Sequence, residues 1–442
     1  MSLYSMLLSR QSANNPIRVG VIGAGKFGSM FLSQAIRIPA IHIVGIADLN
    51  VEQAKSNLAN VHWSEEQYSA SSLDAAVAGG TTFVCDSYEA VVQHPAIDII
   101  VEATGNPVVA ADHILAAFAN GKHVVSATVE LDSFAGLAVA REAKSAGVTY
   151  SMAFGDQPAM TCDLVDWART CGFKVAAAGR GHKWKPEFRF STPDTIWDHW
   201  GVPRDVAERG RMNPKMFNSF LDGTKPAIES AAIANACGLD VPSNGLTYPL
   251  GSIDDIPSLM RPHNQGGALE HSGMVEVVNG LKPDGTEYNH NIRMGVFVVV
   301  EAETDYQKKC LEEYKVKTDD TGRFMCLYKQ WHLIGLELGM SVASVALRGE
   351  ATGVAQEFRG DVVAVAKRDL AAGEILDGEG GYTVAGQLRP SMSSLEGKML
   401  PLGLTGEARM KRDVKIDTVL TYDDVELDET LSAMKLRRSM EA

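Results

Sequence analysis

The residues with the clearest chemical potential form a glycine-rich motif near the start of the chain. This motif follows an apolar, β-branched run, IRVGVI, and precedes a helical pattern. In such a turn the first glycine permits a sharp bend, the second lets a pyrophosphate approach the backbone, and the third lets the helix pack against the strand. Phosphates would rest on the N-terminus of the helix. The motif predicts a dinucleotide-binding turn made by Gly23, Ala24, Gly25, Lys26, Phe27 and Gly28.

An aspartate ends the next apolar run, IHIVGIADLN, where such motifs place an acidic residue. A carboxylate there binds the ribose 2′-hydroxyl and repels a 2′-phosphate. Leu49 and Asn50 follow Asp48 and supply no arginine, so Asp48 taken alone favours NAD(H) over NADP(H). A second interpretation stays open, in which Asp48 caps the helix predicted from NVEQAKSNLA.

Further candidates follow later strands of the same pattern. Thr104, Gly105 and Asn106 end the run IDIIVEATG and are predicted to line the nicotinamide side. Glu130 and Asp156 follow KHVVSAT and VTYSMAFG. Since parallel strands end at one edge of a sheet, we expect both carboxylates near the reacting carbon, as general acid or base or as ligands of a hard divalent cation. A plain position beside a helix N-terminus is the alternative for each.

A basic stretch, GRGHKWKPEF, stands out in this acidic chain. Residues 169–215 hold ten Lys and Arg against five Asp and Glu, a local charge of +5 in a chain of net charge -14. A solvated basic face is one interpretation. The glycines and Trp184 interleaved with the cations favour the other, a substrate phosphate or carboxylate as counter-charge. The candidate phosphate ligands are Arg180, His182, Lys183 and Lys185, with Lys183 also a candidate catalytic residue.

A second lysine lies in the segment DGTKPAIESAAIANACG. If a helix begins at Pro226, Lys225 sits just before it and Glu229 lies in its first turn. Lys225 would then stabilise an oxyanion while Glu229 moves a proton. A surface lysine and a capping glutamate are the alternative.

The length of the chain and the order of its predicted elements indicate the domains that contain these motifs. The 442 residues exceed the roughly 250–300 at which single cores stop growing, so more than one domain is expected. Strands and helices alternate through the first part, which predicts an α/β chain with a doubly wound parallel sheet. The predicted domains are a Rossmann dinucleotide-binding domain (1–155), a central α+β catalytic and dimerisation domain (156–353) and a small β-rich domain (354–442).

Composition also bears on partners and compartment. Apolar residues make up 45% of the chain and charged residues 22%, as in ordinary water-soluble proteins. The acidic balance argues against nucleic acid and anionic membranes as partners. No signal peptide is indicated at the N-terminus, so we expect a cytoplasmic protein with a small-molecule substrate. A homodimer is expected on general grounds.

With these motifs located, the chain resembles the homoserine-dehydrogenase-like oxidoreductases that carry a C-terminal SAF-type domain. The motifs that carry the resemblance are GVIGAGKFG, EATGNP, GDQPAM, GRGHKWKP, DGTKPAIESAAIANACG and the Gly-rich tail from VVAVAKRDL onward. Within that family the sequence looks most like the type II reductoisomerase-like enzymes that act on 1-deoxy-D-xylulose 5-phosphate.

The resemblance implies a reaction and its cofactors. It implies rearrangement of the phosphosugar and reduction by NADPH to 2-C-methyl-D-erythritol 4-phosphate, an isoprenoid precursor, with Mg²⁺ or Mn²⁺ on the substrate oxygens. NADP(H) is therefore favoured and NAD(H) is the alternative. The serine-glutamate-histidine metal motif of the type I enzymes is absent, so the metal ligands stay unassigned.

Two other functions stay open. One is an NAD(P)-dependent dehydrogenase of another polyol, sugar acid or semialdehyde, which the mixed activities of the family and Asp48 suggest. The other is a non-catalytic NAD(P)-binding sensor, because no complete catalytic constellation can be assembled from the sequence.

Overall fold

The computed structural model of the protein describes residues 2–210 and 212–441. Its strands are β1 (Ile17–Ile22), β2 (Ile41–Ala47), β3 (Phe83–Cys85), β4 (Ile99–Glu102), β5 (His123–Ser126), β6 (Tyr150–Met152), β7 (Lys174–His182), β8 (Met274–Asn279), β9 (Val296–Glu301), β10 (Phe324–Lys329), β11 (Gly360–Ala366), β12 (Val384–Pro390), β13 (Arg409–Met410) and β14 (Val425–Glu426).

Helices separate most of these strands. They are α1 (Leu3–Ser12), α2 (Lys26–Ala35), α3 (Val51–Asn60), α4 (Leu73–Gly79), α5 (Tyr88–Gln93), α6 (Pro107–Ala119), α7 (Val129–Ala146), α8 (Gln157–Thr170), α9 (Ile196–Trp200), α10 (Arg204–Arg209), α11 (Pro214–Leu221), α12 (Thr224–Cys237), α13 (Ile256–Leu259), α14 (Asp305–Glu313), α15 (Gly339–Arg348), α16 (Ser391–Glu396) and α17 (Ser432–Glu441).

The first six strands form one parallel sheet in the order β3-β2-β1-β4-β5-β6. Val19 and Val21 of β1 and Val101 of β4 are fully buried, as strands covered by helices on both faces must be. The direction of winding reverses between β1 and β4, and ligands of such sheets bind beyond the carboxyl ends of the strands at that point. The predicted doubly wound Rossmann sheet is confirmed. The short strand β3 had no clear sequence signal.

The chain divides into two units, and the first includes a segment that returns late in the sequence. This unit runs to Met160 and also contains Leu333–Val354. In the returning segment, Leu338, Val342 and Val345 are buried in the same apolar cluster as Phe31 of α2. The structure therefore groups this segment with the dinucleotide-binding fold rather than with the central domain predicted as 156–353, because its apolar stripe completes the core of the sheet.

The second unit runs from Thr161 to His332 and continues from Ala355. Its main sheet has the order β10-β9-β7-β8, with β7 parallel to β8 and antiparallel to β9. The long helix α12 is buried along nearly its whole length. This mixture confirms the α+β character predicted for the central part of the chain.

The C-terminal segment, predicted as a separate domain (354–442), joins this second unit. Its strands pair β11 with β12 and β13 with β14, both antiparallel. Asn235 of α12 accepts hydrogen bonds from the backbone N–H groups of Arg359 (2.7 Å) and Gly360 (2.9 Å), and its own amide donates to the Gly360 carbonyl at 3.0 Å. A buried amide satisfied in this way ties β11 to α12, so the segment shares the core of the second unit.

Among the helices that the described residues form, none has both the length and the apolar character of a bilayer-spanning segment.

Candidate functional site

The glycine-rich turn after β1 has the shape its sequence predicts. Gly23 has a φ of 93°, and a Cβ added there would lie 2.8 Å from the Ala103 carbonyl oxygen. A Cβ added at Gly28 would collide with the Gly23 carbonyl oxygen, so α2 packs as closely to the turn as a glycine allows. Gly25 is the N-cap of α2, and nothing lies within 4 Å of a Cβ added to it. The turn therefore leaves open space at the helix N-terminus, where a pyrophosphate fits.

Two side chains hold the residue at the apex of this turn. Asp48 Oδ2 accepts a hydrogen bond from the Ala24 N–H at 2.8 Å, and the Asn57 amide donates to the Ala24 carbonyl at 2.9 Å. The N-cap of α3 is Asn50, which accepts from the Gln53 N–H at 3.0 Å. The interpretation of Asp48 as the helix cap is therefore wrong. Sequence reasoning missed Asn57, because the pattern of α3 marks it only as one polar residue among several.

The turn after β4 is fixed by a buried carboxylate. Glu102 accepts hydrogen bonds from the hydroxyl groups of Thr104 and Thr128, and Thr128 in turn accepts from the Gly105 N–H at 3.0 Å. Asn106 caps α6 with its side-chain oxygen. The predicted residues 104–106 thus lie at the carboxyl edge of the sheet, and Glu102 and Thr128, which the sequence did not single out, hold them there.

Glu130 and Asp156 lie buried at the same edge of the sheet. A third carboxyl group, Asp132, interacts electrostatically with both of them. Each of its two oxygens lies 3.0 Å from the Tyr150 hydroxyl oxygen. Burial raises the pKa of Asp132 to about 8, the hydrogen bond from Tyr150 opposes that rise, and the charges of Glu130, Asp156 and Glu102 add to it. Asp132 is therefore protonated at neutral pH.

This carboxyl cluster does not fit the divalent cation that the family resemblance implied. Asp132 holds a proton, and Glu102 is occupied by two threonine hydroxyl groups. Across residues 2–210 and 212–441, no group of three or more His, Cys, Asp or Glu side chains is placed to hold a metal ion. No metal ligand is assigned.

In the second unit the first two cations of the basic stretch lie on β7 and are buried. Arg180 forms an ion pair with Glu229 of α12, and the two side chains are 4% and 2% exposed. His182 Nε2 lies 2.8 Å from the Phe220 carbonyl oxygen. Burial and the neighbouring Arg180 hold the pKa of His182 well below its usual range, so it is neutral. Arg180 and His182 therefore add little net positive charge toward a substrate phosphate, which corrects the prediction of a four-cation cluster.

The other two cations follow the end of β7 and are more accessible. Lys183 lies 3.6 Å from Glu287, with 31% of its side chain exposed. Lys185 lies 6.0 Å from the centre of the Phe188 ring. A phosphate role for Lys183 and Lys185 stays a prediction.

The helix of the second lysine begins earlier than predicted. Helix α12 starts at Thr224 rather than Pro226, with Gly223 as its N-cap at a φ of 89°. Lys225 thus lies within the first turn and is half-buried, while Glu229 falls in the second turn, against Arg180. Glu229 is a structural ion-pair partner in this geometry and not a capping residue. A role for Lys225 at the substrate oxygen stays a prediction.

A cavity of about 150 Å³ opens within the second unit. Its floor includes Asp222, whose Oδ2 lies 2.9 Å from the Lys367 ammonium. One wall is Trp184, stacked on Tyr248 with ring centres 4.5 Å apart. We call it the Trp184 cavity, and its lining residues are Trp184, Arg189, Asp222, Gly223, Ala227, Leu246, Tyr248, Val365, Ala385, Gly386, Gln387 and Leu388.

The parallel sheet and the glycine-rich turn are typical of a dinucleotide-binding domain, and comparison with known families agrees. Residues 17–153 match the Gfo/Idh/MocA oxidoreductase family with an NAD-binding Rossmann fold. Residues 155–338 match the catalytic domain of the oxidoreductase DRL family. Residues 17–153 thus resemble a Gfo/Idh/MocA-type NAD-binding domain and residues 155–338 a DRL-type catalytic domain, and both families are oxidoreductases, in agreement with the prediction of an NAD(P)-dependent oxidoreductase.

Individual relatives are more distant. A homoserine dehydrogenase from Methylobacillus glycogenes is 34% identical over 125 residues, which are 26% of this chain and 26% of that protein. The chain thus matches about a quarter of the length of this curated relative. The weak homoserine dehydrogenase likeness is found as expected, whereas nothing in the comparisons supports a SAF-type domain or a reductoisomerase.

Two of the solved structures that the chain resembles cover less than half of it. A scyllo-inositol dehydrogenase from Lactobacillus casei, with bound NAD(H) and scyllo-inositol, is 16% identical, with 38% of this chain and 46% of that one covered and a TM-score of 0.28. A myo-inositol dehydrogenase from Corynebacterium glutamicum is 15% identical, with 41% and 48% covered and a TM-score of 0.29. Likenesses at this level carry no argument for a substrate.

The open space at Gly25 gives a direct test of the cofactor turn. Gly25→Ala should leave the thermal midpoint unchanged, because its Cβ meets nothing within 4 Å and its φ is -67°. The same methyl group should weaken NADH binding about 10-fold or more by blocking the pyrophosphate. NADH fluorescence titration and a thermal melt measure the two effects. Gly406→Ala, also in open space, is the control that should change neither. Wild-type affinity in Gly25→Ala would contradict this placement of the cofactor.

The protonated Asp132 makes stability depend on pH. Its folded-state pKa of about 8 lies above the ordinary value of 3.8, so the folded chain holds a proton that the unfolded chain releases. The stabilisation that this proton gives the folded chain is complete below pH 3.8, and it is lost progressively as the pH rises to about 8. Asp132→Asn should therefore raise the thermal midpoint by a few degrees near pH 8 and much less near pH 4. The exposed Asp112→Asn is the control, and an equal shift of Asp132→Asn at both pH values would contradict the assignment.

The buried ion pair predicts a stability defect in the second unit. Glu229→Gln leaves the Arg180 charge buried without its counter-charge and should cost about 3–5 kcal/mol. Arg180→Met combined with Glu229→Met should recover most of that loss, since an apolar pair needs no compensation. Urea unfolding checks both variants. Glu301→Gln, which breaks the partly exposed pair with Lys174, should have a small effect. Full stability of Glu229→Gln would contradict the structural role.

Proposed function

We propose that the protein is an NAD(H)-preferring dehydrogenase that acts on the hydroxyl or carbonyl carbon of a small polyol, sugar acid or semialdehyde. The observation that carries the cofactor preference is the position of Asp48. Its carboxylate is fixed at the carboxyl end of β2 by the N–H groups of Ala24 (2.8 Å) and Asn50 (2.9 Å). A carboxylate held there accepts a hydrogen bond from a ribose 2′-hydroxyl and repels a 2′-phosphate.

The remaining residues of the cofactor site fit the same role. Gly25 leaves room for the pyrophosphate at the N-terminus of α2. The turn of residues 104–106, held by Glu102 and Thr128, would lie on the nicotinamide side. The bound nicotinamide supplies the hydride acceptor or donor. The chain's own part would be to hold the ring at this edge, where burial keeps the nearby Asp132 protonated.

The comparisons support a dehydrogenase more than a reductoisomerase. Both family models describe oxidoreductases, and the curated relative is a homoserine dehydrogenase. The preference for NADPH came from the reductoisomerase resemblance alone. The proposed preference for NAD(H) therefore rests on the geometry of Asp48. A phosphorylated substrate, a homodimer and a cytoplasmic location stay predictions.

Cofactor binding tests the preference for NAD(H). Wild-type protein should bind NADH more tightly than NADPH, and Asp48→Asn should reduce that preference about 10-fold by removing the fixed negative charge. Fluorescence titration with each nucleotide measures both constants. Glu52→Gln, an exposed change in the first turn of α3, is the control and should leave the preference unaltered.

Three outcomes would overturn the proposed function. Tighter binding of NADPH than NADH by the wild type would contradict the role of Asp48. Conversion of 1-deoxy-D-xylulose 5-phosphate with NADPH, without NAD⁺ reduction by any polyol, sugar acid or homoserine, would restore the reductoisomerase. Tight NADH binding with no turnover of any substrate in the panel would favour the sensor.

A further inference from the structure

Two cysteine thiols lie in contact in the second unit, although 75 positions separate them in the sequence. The thiol of Cys237 donates a hydrogen bond to the sulfur of Cys162, and the two sulfur atoms are 3.7 Å apart. Neither residue is part of a disulfide. The fold therefore brings together two thiols that no spacing in the sequence connects.

The two thiols differ in their access to solvent. Cys162 lies on α8 beside the buried face of that helix and is partly exposed. Cys237 is the last residue of α12, and only 6% of its surface is exposed. The buried residues on the neighbouring face of α8 are Thr161, Leu164, Val165 and Ala168. A reagent in solution therefore meets the sulfur of Cys162 before that of Cys237.

A disulfide bond requires only a short approach of the two sulfur atoms. An S–S bond is about 2.0 Å long, so the two sulfurs would close a gap of about 1.7 Å. Each cysteine side chain turns about a single bond, and rotation of both side chains shares this movement. Cys237 ends its helix, so no later turn of α12 restrains it.

The hydrogen bond assigns a different role to each sulfur. Because the S–H of Cys237 is the donor, the sulfur of Cys162 is the acceptor. A thiolate on Cys162 keeps this hydrogen bond and is stabilised by it. The more accessible sulfur is thus also the better placed nucleophile, and Cys237 is in position to react second.

We propose that Cys162 and Cys237 are a redox-active pair that forms a disulfide bond by exchange with a low-molecular-weight disulfide. The Cys162 thiolate attacks one sulfur of that reagent, forms a mixed disulfide and releases the first small thiolate. Cys237 then loses its proton, attacks the Cys162 sulfur and releases the second small thiolate. The two cysteines lose two electrons, the reagent gains them, and the two thiol protons pass to the released thiolates.

The bond joins α8 to the helix that carries most contacts of the second unit described above. Asn235, two residues before Cys237, accepts from the backbone N–H groups of Arg359 and Gly360. The closed loop runs from residue 162 to residue 237 and contains β7 and the basic stretch. A cross-link of this kind restricts the unfolded chain, so the disulfide form should be the more stable one.

Oxidised glutathione added to the full chain tests the pair. After alkylation of the remaining thiols, peptide mass spectrometry should find two peptides joined through Cys162 and Cys237, and dithiothreitol should separate them. The exposed Cys171 should carry at most a single glutathione. The thermal midpoint of the oxidised chain should lie several degrees above that of the reduced chain.

Three variants separate the roles of the cysteines. Cys237→Ser removes the second thiol, so Cys162 should remain as a mixed disulfide with one glutathione. Cys162→Ser should leave the buried Cys237 unmodified in the folded chain. Cys171→Ser is the matched control and should give the same joined peptides and the same rise in thermal midpoint as the wild type. Circular dichroism confirms that each variant is folded.

Three results would overturn the pair. One is the absence of the joined peptides from the oxidised wild type, with or without glutathione on Cys162. Another is an equal rise in thermal midpoint for Cys162→Ser, and the third is a lower midpoint for the oxidised wild type than for the reduced one. The measurements need neither cofactor nor turnover, so their outcome is independent of the proposed dehydrogenase.

Discussion

One buried charge pair organises the second unit. Arg180 of β7 and Glu229 of α12 are both buried, and each compensates the charge of the other. The pair fixes α12 against the central strand of the mixed sheet. From that position the helix binds the C-terminal strands, since Asn235 holds β11 and the Thr224 hydroxyl accepts from the Gly386 N–H of β12 at 2.8 Å. The Trp184 cavity lies among these same elements.

The need to compensate buried charge also determines which cations of the basic stretch are accessible. A strand buried on both faces cannot carry uncompensated charge, so Arg180 is paired and His182 is neutral. Beyond the strand end, Trp184 turns to stack on Tyr248, and Arg189 reaches the cavity lining. Burial therefore makes Arg180 and His182 inaccessible, whereas Lys183 and Arg189, beyond the strand, stay partly exposed.

In the first unit, backbone geometry and a single carboxylate cooperate. The turn between β1 and α2 has no side chain at Gly25, and two hydrogen bonds hold its shape. The Ala24 N–H donates to Asp48, and the Asn57 amide donates to the Ala24 carbonyl. Asp48 therefore both supports the turn and presents charge where the ribose would lie. At the same edge, burial among other carboxyl groups keeps Asp132 protonated. Support of the turn and the proposed recognition of the cofactor would use the same carboxylate of Asp48.

The sequence by itself determined the elements whose causes are local. Apolar runs and glycine spacing predicted β1, β4, the turn of Gly23 to Gly28 and the parallel sheet, because strand burial and turn geometry depend on neighbouring residues. The tertiary structure alone decided the rest. The pairing of Arg180 with Glu229 and the return of α15 to the first unit join residues far apart in the chain. Charge compensation and burial depend on such distant partners, and no local pattern records them.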